Sequence, residues 1–120
     1  MTVTHFQDVP LAAREHEWDG DAADKGVRGW TDAADEPTPA YRDLHVGYDA
    51  DNANSFTSYK LLIADVVDGR LKAVPHAIFA AAVVVQGGRS GLDVPHEELG
   101  RIRGHLKRYY DKLDDIPPWE

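Results

Sequence analysis

PHAIFAAAVVVQGG (residues 75–88), joined by a short gap to PHEELGRIRGHLKRYYDKL (residues 95–113), is the stretch that decides the fold. Pro75 suits the first turn of a helix, where its missing N–H is not needed, and Ala77 to Gln86 continues without a breaker. Gly87-Gly88 then predicts a left-handed helix end. Val85 and its neighbours leave almost no polar face, so this helix is expected to be the buried one. Arg89–Asp93 reads as a loop, and a second helix starts near Pro95, with Glu97 and Glu98 in the turn where the helix dipole favours acids. Leu99, Ile102, Leu106, Tyr109, Tyr110 and Leu113 recur at helical spacing and form one apolar stripe. Arg101, Arg108 and Lys112 project on the opposite side, a candidate contact for an anion or an acidic partner, with a plain solvated face as the alternative. The two segments predict an antiparallel helical hairpin over residues 75–113. Pro117-Pro118 ends regular structure, leaving 114–120 as a tail whose Trp119 folds back or meets a partner.

Working upstream, Asp68-Gly69 lies between Leu62–Val67 and Arg70–Val74 and predicts a tight-turn β-hairpin. Helix competes for Tyr59–Val67, because Leu62, Ile63, Val66 and Val67 also fit a 3.6-residue period. Asp49 to Ser55 is rich in side chains that bond their own backbone, and reads as a loop. Further upstream, Ala23, Val27 and Trp30 share one face of a short helix spanning Asp21–Trp30, capped by Asp19 or Asp21, with Trp18 packed just before it. Glu36-Pro37-Thr38-Pro39 is a turn or linker. Residues 1–17 are expected to be an extended tail. The fold class that follows is α+β: a small single domain over 1–120, with a C-terminal helical hairpin, a short β-hairpin and a loop-rich N-terminal half.

The 120 residues have room for one domain, and a chain of this size buries roughly 65% of its unfolded surface. With 42% hydrophobic and 28% charged residues it has an ordinary globular balance. Lacking cysteine, it excludes disulfides, thiolate metal sites and thiol catalysis. The longest apolar run, Ala77–Val85, is too short to span a bilayer, and the N-terminus lacks a signal peptide's apolar stretch, so a soluble chain made inside the cell is expected. Residues 1–58 hold twelve acids and four bases, whereas residues 59–120 hold nine of each, so the whole net charge of −8 sits in the first half. Phosphate backbones and anionic lipid surfaces are bound by clustered Lys and Arg, so neither nucleic acid nor membrane is an expected partner.

Catalytic and metal motifs fail on inspection. His96-Glu97-Glu98 opens like a zinc-protease helix, but the position that needs the second histidine is Gly100. Counted as a calcium loop from Asp49, position five is Ala53, position six is Asn54 and position twelve is Lys60, where such a loop needs oxygen ligands and a glycine. The six histidines (His5, His16, His45, His76, His96 and His105) include no pair at ligand spacing. Ser55, Ser58 and Ser90 offer hydroxyls without a motif that fixes a base beside them, and Gln86-Gly87-Gly88-Arg89-Ser90-Gly91 lacks phosphate-loop spacing. No catalytic residue, metal or cofactor is therefore expected. The aromatics of the polar first half are anchors for loops or interface residues; Trp18, Trp30, Tyr41 and the terminal Trp119 are the candidate partner contacts.

Trp18-Asp19-x-x-Ala22-Ala23 with Trp30, Tyr48-Asp49-x-Asp51-x-x-x-Ser55-Phe56-x-Ser58-Tyr59-Lys60-Leu61, and Asp65-x-x-Asp68-Gly69-x-Leu71-x-Ala73-Val74-Pro75 together resemble a module of tailed-bacteriophage head genes. Ala80-Ala81-Ala82, Gln86-Gly87-x-Arg89-x-Gly91-x-Asp93-x-Pro95 and Tyr109-Tyr110 extend the resemblance over roughly residues 17–112. Similar stretches occur beside or fused to prohead protease and capsid genes. The chain departs from the pattern at Leu62, where proline is expected, and has no room for a protease domain. The resemblance implies a virion component: a capsid decoration or stabilising protein that binds the major capsid protein or another head protein, with self-association on the lattice, residing in the capsid and in host cytoplasm during assembly. The competing expectations are a protease-associated or scaffold-like assembly factor that leaves the mature particle, an acidic inhibitor or binding protein, and a small hydrolase for which no motif is present.

Overall fold

The computed structural model describes residues 2–86 and 96–120. Its elements run β1 (Thr2–Val3), α1 (Gly20–Trp30), α2 (Pro39–Arg42), β2 (His45–Tyr48), β3 (Tyr59–Leu62), β4 (Ala64–Val67), β5 (Arg70–Ala73), α3 (Pro75–Val85) and α4 (His96–Leu113), with 3₁₀ turns at Ala50–Asn52 and Phe56–Ser58. This is a small α+β domain. The predicted Gly87-Gly88 cap, the Arg89–Asp93 loop and the helix start at Pro95 lie outside the described residues.

The helical pair forms for the reasons read in its sequence. Pro75 sits in the first turn of α3, and Ile78 donates its N–H to Val74 O at 3.1 Å. Along α4, Ile102, Leu106 and Tyr109 have no solvent exposure, and Tyr110 and Leu113 are buried beside them. Phe79, midway along α3, packs against Tyr110, late in α4, with ring centroids 5.7 Å apart. Each fully buried side chain of this size contributes roughly 1.5–3 kcal/mol. One expectation needs correcting. α3 is not buried all round: Val83 is 59% exposed, because Ala77, Ile78, Ala81, Ala82 and Val85 already fill the face turned inward.

Strands, not helix, occupy Tyr59–Val67. β1, β2 and β3 form an antiparallel sheet with Thr2 opposite Tyr48 and His45 opposite Leu62. β4 and β5 form the hairpin, with Val67 opposite Arg70. Asp68 (φ 54°) and Gly69 (φ 73°) are both left-handed, as a two-residue turn matched to strand twist demands. Leu62 belongs to the first sheet and not to the hairpin. In α1, the Asp19 carboxylate caps the helix by accepting from the Asp21 and Ala22 N–H groups at 3.1 and 3.2 Å.

The N-terminal segment is extended but knitted into the body. Beyond the β1–β2 pairing, Ala73 exchanges hydrogen bonds of 2.8 Å with Pro10 O and Ala12 N, so one segment ties both sheets together. Val3, Phe6, Val9 and Leu11 pack on the core, which offsets the chain entropy that would leave a free end disordered. At the other end Pro117 is fully buried and Trp119 leans on Tyr110, with ring centroids 6.1 Å apart.

Candidate functional site

α1, the β2–β3 sheet and α3 enclose an open cleft of about 400 Å³. One wall is polar. Asp21, Asp24 and Arg28 recur at helical spacing on α1, so all three face the same side. Asp24 accepts from the Arg28 guanidinium at 2.8 Å and from the Tyr41 hydroxyl at 2.6 Å. The guanidinium carbon lies 3.6 Å from the centroid of the Phe56 ring, a cation–π contact that holds the Arg28 head in place. The apolar part of the lining is built from Leu61 and Leu62 of β3 and from Ala77, Ala80, Ala81 and Val84 of α3, with Trp18 also lining the cleft.

Tyr41 and His45 also line the cleft, Tyr41 bonded to Asp24. Tyr41 is 2% exposed and reaches the cleft from α2. Burial and then the bond to the Asp24 carboxylate push its phenol well above the ordinary range, so it stays a neutral donor. His45 is 3% exposed, and its Nδ1 lies 3.0 Å from Tyr41 O. Burial pushes its imidazole down to about 4, so the ring is neutral near pH 7. A carbonyl can only accept, so Nδ1 carries the proton and Nε2 keeps its lone pair. Among the described residues Nε2 has no protein partner. Leu61, in the apolar part of the lining, holds φ at 62°, a left-handed conformation that costs a leucine roughly 1–2 kcal/mol.

The sequence-predicted contact residues do not form one surface. Trp18 and Tyr41 meet at the cleft, but Tyr41 is buried and offers a partner little beyond its hydroxyl. It is therefore corrected from an interface anchor to a core residue, since its ring is packed among His45, Phe56 and Tyr59. Trp30 does not complete the buried face with Ala23 and Val27. The chain turns at once, with Asp32 at φ 56°, and Thr31 and Ala33 are buried in its place, leaving Trp30 51% exposed. Trp119 is half-buried on Tyr110, with the Arg103 guanidinium 5.9 Å above its ring.

The basic side chains of α4 are largely committed to their own chain. Arg101 pairs with Glu98 at 2.7 Å, the Arg108 guanidinium lies 4.6 Å over the Phe6 ring, and Lys112 donates to Asp8 at 2.6 Å and to Val9 O at 2.5 Å. Arg108 and Lys112 thus clamp the N-terminal segment. A second buried histidine works on the same seam: His105 Nδ1 lies 2.8 Å from Thr4 O, while its Nε2 is buried without a partner. Burial holds this imidazole below its ordinary value.

Among the described residues, no cluster of three His, Asp or Glu could hold a metal ion. The Asp49 carboxylate is occupied locally, accepting from Asp51 N at 3.0 Å and Asn52 Nδ2 at 2.7 Å. Ser58 donates to Ser55 O, and no serine bonds a histidine among the described residues. Sequence reasoning missed Asp24, Arg28 and His45. The i, i+4 spacing of Asp24 and Arg28 was a visible signal; the convergence of Tyr41 and His45 on them was not. Comparison with known proteins finds no matching family model, no curated relative and no solved structure of similar fold.

Proposed function

We propose that the protein is a non-catalytic binding module of a tailed-bacteriophage head, attached to the major capsid protein or a neighbouring head protein. The observation that carries this reading is Trp30: a large aromatic left 51% exposed at the end of α1, within a half-chain of net charge −8. Exposed acids follow it directly at Asp32, Asp35 and Glu36. Aromatic anchors dominate protein interfaces, and a surrounding field of one sign selects a partner of the other and speeds encounter. The partner surface is therefore basic or neutral, with a recess for an indole. The resemblance of residues 17–112 to phage head modules names the setting. Among the described residues no helix is long and apolar enough to cross a membrane, and the acidic half opposes binding to phosphate backbones.

The test is to quantify this chain in purified mature particles of the phage that encodes it. A fixed copy number per capsid subunit is expected. Presence in proheads with absence from mature particles would overturn attachment to the finished capsid and leave the assembly-factor alternative. Absence from both would overturn the head assignment.

A further inference from the structure

The α1–β3–α3 cleft is not used by the proposed Trp30 interface, and its composition is specific. We propose that it is a receptor for a lysine side chain flanked by apolar residues, presented by a partner protein. An ammonium group has three donors and no acceptor. The polar wall supplies acceptors of the matching kind: the Asp21 carboxylate, the remaining lone pairs of Asp24, and His45 Nε2, which sits on a buried ring and has no protein partner. With His45 neutral, two carboxylates against one guanidinium leave the lining at a net charge of −1, within the half of the chain that carries all the acidic excess. The Arg28 head is held between Asp24 and the Phe56 ring, with its Nε buried and unpartnered.

The stem of the ligand is specified as well. A lysine buries its methylenes along apolar surface while its charged end stays at a polar site. Leu61, Leu62, Ala81 and Val84 offer that surface in the same cleft as the carboxylates, and Trp18 adds an indole, a ring type whose face attracts a cation. An arginine fits less well. Its planar fork seeks a bidentate carboxylate, and Asp24 already spends one oxygen on Tyr41 and the other on Arg28. This inference goes beyond the capsid assignment and holds whichever protein supplies the lysine, so failure of capsid attachment would leave it standing.

The experiment is an NMR titration of the full chain with three probes: acetyl-Leu-Lys-Leu-amide, its norleucine counterpart, and hexylammonium. The lysine peptide is expected to shift the Trp18 indole and His45 imidazole resonances saturably. The norleucine peptide, which keeps the stem and loses the charge, should bind about tenfold more weakly, as loss of a charge-assisted hydrogen bond predicts. Asp21→Asn, at an exposed position, should weaken the lysine peptide roughly fivefold, whereas Ile116→Ser, an exposed change distant in sequence, should leave it unaffected. His45→Phe removes the acceptor while keeping a ring; retention of parental affinity in a folded variant would overturn the role of Nε2. Equal binding of the lysine and norleucine peptides, or no shift at millimolar probe, would overturn the site. Tighter binding of hexylammonium than of the peptide would overturn a protein lysine as the occupant in favour of a small amine.

Discussion

The α4 surface and the α1 side of the cleft use polar groups in different ways. On α4 the charged side chains are committed to their own chain: Arg101 to Glu98, Lys107 to Asp111, and Lys112 to Asp8. The inward face of that helix is apolar apart from His105, whose Nε2 is buried without a partner. On the cleft side, Asp24, Arg28, Tyr41 and His45 are gathered at one wall, one ring nitrogen is left unpartnered, and Leu61 holds a strained backbone angle. Strain and unpaired acceptors oppose stability and persist where the surrounding structure over-determines them. Each region thus carries a cost, on α4 at the buried, unpartnered His105 Nε2 and in the cleft at the Leu61 backbone, and the proposed binding chemistry lies at the cleft, where the Asp24 and Arg28 side chains stay partly exposed.

The largest effect should come from breaking the buried face of α4. Leu106→Asp places a carboxylate where exposure is zero, at a cost of several kcal/mol, out of about 5–15 kcal/mol for a whole domain. Circular dichroism at 25 °C should show an unfolded chain; a parental melt would break the comparison at its root.

Acid comes next, and it acts on both regions. His45 is held down to about 4 chiefly by burial, with Asp24 and Arg28 opposing each other across it. His105 is also lowered by burial, helped by Arg108 and His5. In the unfolded chain each takes up its proton near the ordinary value of 6.5, so the unfolded state binds more protons below that pH. The stabilisation from neutral burial is complete above about 6.5 and drains away as pH falls towards 4. For His45 it amounts to on the order of 3 kcal/mol. Urea midpoints measured from pH 7.5 to 4 should fall in the parent and fall less in His45→Phe. Parallel curves for the two proteins would show that His45 does not drive the loss.

Tyr41→Phe should have a smaller effect. It removes the 2.6 Å bond to Asp24 but leaves that carboxylate paired with Arg28, so the loss should be about 1 kcal/mol in urea unfolding. A loss as large as that of a core truncation would mean that the hydroxyl organises the entire polar wall.

Features set by neighbouring residues were legible in the sequence. The Asp19 cap, the Asp68-Gly69 turn, Pro75 as a helix start and the α4 stripe each depend on contacts within a few positions, which spacing encodes. His105 lies between Ile102 and Tyr109 on that same stripe, so its burial was also available in the pattern. What escaped were encounters across long separations. Nothing local in Val3, Phe6, Val9 and Leu11 says that they will bridge two sheets, and Tyr41 meets Asp24 only after the chain has turned twice. Trp30 shows the limit of periodicity. It falls on the right face of α1 by spacing, but the helix ends there and the inward position passes to Thr31 and Ala33. The cleft was half legible, through Trp18 and Tyr41, and its chemistry was not, because His45 and Arg28 acquire their roles only from packing.

If Trp30 is the proposed anchor, attachment can be lost while the fold is kept, because its indole lies outside the core, and one paired measurement separates the two. Trp30→Ala and the parent are each bound to particles stripped of the protein, over a salt series, and their melting temperatures are compared in the same buffers. Matched melting temperatures are expected, with an affinity loss of at least about tenfold for Trp30→Ala and parental binding that weakens as salt rises. Equal binding of the two proteins at every salt concentration, together with loss of binding in an Arg101→Ala, Arg108→Ala double variant, would contradict the anchor role of Trp30 and move the interface to α4.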